Sequence, residues 1–215
     1  MSKKAAIELT VNFIVTFIIA VVIFSLSLYF AVNFFRGAEE IRGSIDAETE
    51  GKIQDLLAQS GTLVAFPLNK KAGNIDDNVI YGMGILNLAE RGEVSFYVKI
   101  EPHKYIDELG REDEIELAGI QYHATMLTWL KYSEGPYVTE YNDYSTVPIL
   151  LQLKENMGET QGRVIPTKKG TYIFNVCVFN GEPIGDQGPK VCNNAILGDQ
   201  QLYTQQIYKL YVTAK

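Results

Sequence analysis

The sequence predicts an α+β chain: a long N-terminal helix, first transmembrane and then amphipathic, followed by an antiparallel β-sandwich. Three observations carry this. Leu9 to Phe35 contains no charged residue. Gly37 to Ser60 lacks proline and repeats its apolar residues at helical spacing. After Gly61 the apolar period falls to two. The 215 residues divide into a basic leader (1–8), a transmembrane helix (9–35), an extramembrane amphipathic helix (36–60) and an extracytoplasmic β-sandwich (61–215).

Leu9 to Phe35 holds only neutral polar residues, chiefly Thr10, Asn12, Thr16, Ser25, Ser27 and Asn33. As a helix it rises about 40 Å at roughly 1.5 Å per residue, enough to cross a hydrocarbon core about 30 Å thick with some tilt. A buried globular helix is rarely this long and uniformly apolar. A cleaved secretory signal has a shorter apolar region and a small-x-small site, which Tyr29 to Asn33 does not offer. Lys3 and Lys4 precede the span; Arg36 and Arg42 follow it among several acidic residues. A short leader with two lysines favours a cytoplasmic N-terminus and an external C-terminal domain.

The helix is expected to continue to Ser60, running from about Ala5. Ala38, Ile41, Ile45, Ile53, Leu56 and Leu57 share one broad face, and Glu40, Glu48, Glu50 and Asp55 occupy much of the other. Gly61 is a stop signal. Gly37, Gly43 and Gly51 weaken the helix by roughly 1 kcal/mol each relative to Ala.

Beyond Gly61, alternation predicts strands over 93–100, 148–154, 171–179 and 206–212, with further candidates at 62–66, 79–86 and 125–132. Arg91-Gly92, Glu134-Gly135-Pro136, Lys169-Gly170 and Asn180-Gly181 mark turns between them. About seven strands suggest a sandwich. Glu101 to Glu114 has no assignment, and Ile115 to Ala124 reads as strand or short helix.

Cys177 and Cys192 are the only cysteines. A bridge would close a loop of about 15 residues, worth roughly 3 kcal/mol in the chain-entropy model, and would suit an oxidising exterior. The alternative is two unlinked thiols, one buried in its strand. No nucleophile motif, phosphate loop or metal-ligand spacing is present, so neither a catalytic residue, a metal nor a cofactor is predicted. His103 and His123 have no acid-base partner that the sequence can name. Asn74, Asp76 and Asn78 begin like a calcium loop, but Val79 replaces its glycine and Ile85 its bidentate glutamate, so a solvated turn is the reading. Gly82-Met83-Gly84 reads as close backbone packing or a bulge. The net charge of −7 argues against a nucleic-acid partner. Twelve of the 13 tyrosines follow Gly61. Tyr132, Tyr137, Tyr141 and Tyr144 are candidates for an adhesive or subunit-contact surface, with ordinary sandwich packing as the alternative.

Lys168-Lys169-Gly170-Thr171-Tyr172-Ile173-Phe174 resembles the start of a strand in immunoglobulin-like domains. There a Gly-x-Tyr-x-apolar pattern lets the tyrosine hydroxyl bond back to nearby backbone. The resemblance implies a tyrosine corner at Tyr172 and an immunoglobulin-like sandwich; a common turn leading into a strand is the alternative. Lys3-Lys4-Ala5-Ala6-Ile7-Glu8-Leu9 before the apolar run resembles archaeal type IV pilin-like proteins. That resemblance implies processing between Ala5 and Ala6, Glu8 as an assembly carboxylate, and a filament core built from the apolar helix. Glu8 would then be third in the mature chain, where the family has its glutamate fifth. The alternative for Glu8 is a carboxylate at the membrane-water boundary. The expected role is non-enzymatic: a pilin-like cell-surface subunit, or a permanently anchored module whose sandwich binds a partner. The expected partners are membrane lipid and either copies of the chain or another surface protein.

Overall fold

The computed structural model describes residues 13–29, 45–89, 91–114, 120–160, 163–182, 184–185, 188–189, 192 and 202–215. The expectations for Ala5, Ala6, Glu8 and residues 30–44 lie outside these. The chain forms two units, Met1–Gly43 and Ser44–Lys215.

In the first unit, helix α1 covers residues 13–29. Its large apolar side chains are open on every face, from 47% exposure at Val21 to 70% at Phe13. Its two serines turn inward to their own backbone: Ser25 Oγ donates to the Val21 carbonyl at 2.8 Å and Ser27 Oγ to the Ile23 carbonyl at 2.9 Å. Among the described residues no helix is long and apolar enough to cross a membrane. The described part of α1 rises about 26 Å, a little short of a hydrocarbon core.

In the second unit, helix α2 (Ala47–Ser60) begins where Asp46, in an extended conformation (φ −68°, ψ 152°), accepts the Thr49 N–H at 2.6 Å. It ends at Gly61 in the left-handed region (φ 61°). Of the expected helix over 36–60, residues 45 and 46 are not helical and Ala47–Ser60 is α2; residues 36–44 lie outside the described residues. The Asp46 carboxylate takes the N–H that a continuing helix would have bonded to a carbonyl one turn back.

The strands follow as β1 (Val64–Ala65), β2 (Lys70–Gly73), β3 (Asn78–Leu86), β4 (Val94–Asp107) and β5 (Glu112–Glu114). After helix α3 (Ile120–Leu127) come β6 (Leu130–Lys131), β7 (Tyr137–Thr139), β8 (Tyr144–Gln152), β9 (Asn156–Thr160), β10 (Arg163–Pro166), β11 (Gly170–Asn180), β12 (Ile184–Gly185), β13 (Gly188–Pro189) and β14 (Tyr208–Ala214). One sheet has the order β1-β3-β8-β6; the other runs β2-β14-β11-β4-β5, with β7 also on β4. Tyr81, Met83, Val147 and Ile149 of the first sheet share a core with Phe96, Val98, Phe174, Val176, Leu210 and Val212 of the second. The result is a β-sandwich, antiparallel except for β2, which pairs parallel with β14. Between β1 and β2 the chain changes sheets across Pro67, which has no N–H to offer a ladder.

The expected strand at 125–132 is corrected to the end of α3 and the two-residue β6. Met126 and Trp129, three apart, are both fully buried, a spacing that a helical turn serves. Short apolar runs cannot be divided between helix and strand by periodicity alone. The unassigned 101–107 continues β4, whose register on β11 slips between Ile173 and Phe174.

Candidate functional site

The sequence candidates occupy separate places. At the start of β11, Gly170 (φ 146°) turns the chain so that Tyr172 is fully buried and its hydroxyl returns to Lys168. That hydroxyl accepts the Lys168 N–H at 2.9 Å and donates to the Lys168 carbonyl at 2.9 Å. Burial holds the Tyr172 phenol well above its ordinary value. Tyr105 and Trp129 pack on its ring, with centroids 4.9 and 5.2 Å away. Tyr105 Oη donates to the Lys169 carbonyl at 2.6 Å, so two phenols fix this one turn.

At the far end of β11, Cys177 and Cys192 form a disulfide. Both are buried with Phe179 and Leu202 on the face of the sheet away from the main core. A polar row crosses the same face: buried Glu101 is opposite buried Asn175, and half-buried Lys209 is opposite Asn175 and donates to its Oδ1. Burial, then the nearby Lys104 charge, lower the Lys209 ammonium from its ordinary value.

Of the four tyrosines, Tyr132, Tyr137 and Tyr144 are half-buried and Tyr141 is exposed, and the partners of the first three lie in different parts of the fold. Tyr132 gives its hydroxyl oxygen to the Ile100 N–H at 3.0 Å, on the stretch of β4 between β7 and β5, and burial raises its phenol. Tyr137 Oη donates to the Ser133 carbonyl at 2.8 Å. Tyr144 packs beside the cluster under α2. Tyr141 alone of the four is exposed, at 49%. Asn74 to Asp77 is a turn closed by Asp77, whose Oδ2 accepts the Asn74 N–H at 2.7 Å. His103 lies on β4, half-buried; the His123 side chain is outside the described residues. Among the described residues no group of three His, Cys, Asp or Glu is arranged to hold a metal.

Two features carry more than their sequence signals suggested. Gly82 and Gly84 form the bed of α2. A Cβ on Gly84 would stand 2.3 Å from Ile53 Cγ2 and 2.9 Å from Leu57 Cδ1. The pair does mark close packing, but the partner is the helix, which a fragment of a glycine motif could not name. The second feature is an open cavity of about 640 Å³ at the β4–β5 turn, lined by Tyr105, Asp107, Glu108, Leu109, Arg111, Lys168 and Lys169. Asp107 organises it. Its carboxylate accepts the Arg111 N–H at 2.8 Å, the Arg111 Nε–H at 2.6 Å and the Leu109 N–H at 2.9 Å. The Arg111 backbone bond first, then its side chain, hold Asp107 below the ordinary carboxylate value.

No protein-family model matches the chain, and no curated protein matches it. Among solved structures it is similar to the ASH / PapD-like domain 7 of human CEP192, with a TM-score of 0.37 and 10% identity over 72% of this chain and 86% of that one. It is also similar to the class 5 fimbriae chaperone CfaA, with a TM-score of 0.35 and 10% identity over 71% of this chain and 57% of that one. Against the swine CD8aa homodimer the TM-score is 0.27, with 10% identity over 72% and 99% of the two chains. At such low similarity nothing is carried from these proteins to this one.

Proposed function

We propose that this is a non-enzymatic, membrane-anchored cell-surface protein, held in lipid by its apolar N-terminal helix and displaying the sandwich outside the cytoplasm. The observation that carries this is the all-round exposure of α1, where Phe13, Phe17, Ile23, Phe24 and Tyr29 are each more than half open. Covering a large apolar side chain is worth roughly 1.5–3 kcal/mol, so a helix with no polar face calls for lipid or for copies of itself. The Cys177–Cys192 disulfide agrees with an oxidising exterior. In the filament reading, α1 helices of neighbouring copies pack together after cleavage at Ala5–Ala6, with Ala6 as the new N-terminus and Glu8 third in the mature chain. The protein then belongs to an extracellular filament.

A second reading keeps the anchor for good and gives the sandwich a binding partner. It is favoured by α2, whose buried residues Ile53 and Leu57 already pack on their own sheet. Little of that helix is left apolar for contacts between copies. Mass spectrometry of the native N-terminus separates the two. A chain starting at Ala6 supports the filament; a chain starting at Met1 or Ser2 rejects it and supports the permanent anchor.

A further inference from the structure

The direction of α2 fixes which end of the sandwich receives the chain from the apolar segment. Gly82 lies against Ile45 and Thr49, at the start of α2, whereas Gly84 lies against Ile53 and Leu57. β3 runs from Asn78 to Leu86, so the chain arrives beside the Asn78 end. Gln152 is opposite Asn78 in the same sheet. In the other sheet Gly73 is opposite Ala214, Ala214 opposite Gly170, and Gly170 opposite Asp107. The Gly73 backbone joins the two ends, because a Cβ there would touch Val79 and Leu153. The β4–β5 turn and the Lys168-Lys169 pair therefore stand at the end where the chain arrives.

At that end, beside the exposed Asp76 and Asp77 of the β2–β3 turn, the cavity brings an apolar residue and two lysines together. Leu109, at the tip of the turn, is 78% exposed, more than any other large apolar residue described, α1 included. Lys168 and Lys169 line the cavity beside it, both exposed. Among the described residues neither is in an ion pair, while Arg111 is matched by Asp107. Glu108 is the one carboxylate of the cavity lining left to oppose them.

We propose that this end of the sandwich docks on the membrane, Leu109 entering the headgroup layer while Lys168 and Lys169 hold phosphates of anionic lipid. The chemistry is that of a peripheral contact, a small apolar anchor beside cations, and it adds a second attachment to the one made by α1. This rests on the membrane-anchored reading above and assigns it a face.

The test uses the full-length chain carrying Leu109→Cys or, as a control at the opposite end, Leu88→Cys. The native cysteines are bonded to each other, so each variant takes a single environment-sensitive fluorophore. The chains are reconstituted into vesicles of phosphatidylcholine and phosphatidylglycerol containing nitroxide-headgroup lipid, then floated on a gradient. The expected result is that the floated protein is quenched roughly two-fold or more strongly at position 109 than at 88, and that adding Lys168→Glu and Lys169→Glu removes the difference. Equal quenching at the two positions in protein that floats overturns the docking surface and leaves the anchor standing. A signal at 109 that follows protein density and ignores nitroxide lipid puts a second copy there and also overturns it. Protein that does not float rejects the membrane reading, and this proposal with it.

Discussion

Gly84 and Gly51 are the same residue type with opposite consequences. At Gly84 a methyl group meets the γ-methyl of Ile53, which is branched at Cβ and cannot swing aside without leaving its rotamer. Gly84→Ala is expected to destabilise the second unit by about 1–3 kcal/mol, the range for overpacking, and to speed hydrogen exchange along α2. At Gly51 nothing lies within 4 Å of the added carbon. Gly51→Ala should stabilise α2 by about 1 kcal/mol, and urea unfolding of the two variants compares them directly. Tyr172→Phe removes both hydroxyl bonds to Lys168 while keeping the ring. It should cost about 1–2 kcal/mol, lowering the melting temperature by roughly 2–4 °C per kcal/mol. Asp107 gives a pH signature. Its folded value lies below the model-peptide 3.8, so the turn it closes is fully supported above that value and loses support as pH falls through the lowered one. The melting-temperature gap between the native chain and Asp107→Ala should be present near neutrality and close as pH falls below the ordinary carboxylate range.

Elements were legible where one period ran long enough to be unambiguous. The alternation of Tyr172, Phe174, Val176 and Val178 is the core face of β11, and Gly61 does end α2. The N-cap at Asp46 was missed because the apolar face on either side of it keeps the same phase, while the decisive bond is a single side-chain contact to Thr49. The two- to four-residue strands β1, β2, β6 and β7 are too short to show a period; their partners, far away in sequence, define them. The places of the four tyrosines were not legible for a related reason. Tyr132 reaches a backbone N–H on β4 and Tyr144 lies by α2, and neither partner is near in sequence. At this scale the disulfide has a direct check. Non-reducing and reducing peptide maps should differ by a Cys177–Cys192 linkage, and the Cys177→Ser, Cys192→Ser chain should lose about 3 kcal/mol of stability. Identical maps contradict the pairing.

At the scale of the whole molecule the division was legible from charge alone, since Leu9 to Phe35 is the one long stretch without a charged residue. What that division leaves is a sandwich with a closed core and a helix with none. Ile53, Trp129 and Phe174 are fully covered, while Phe13 to Tyr29 is apolar and open on all sides. The location of the cavity at Leu109 could not be read from the sequence, because it depends on β4 ending level with the start of β11. The central claim is that lipid covers α1, and alkaline carbonate extraction of membranes carrying the full-length chain tests it most directly. The protein should remain in the pellet and dissolve only with detergent. Recovery in the aqueous fraction, without detergent and as a monodisperse monomer, would contradict it.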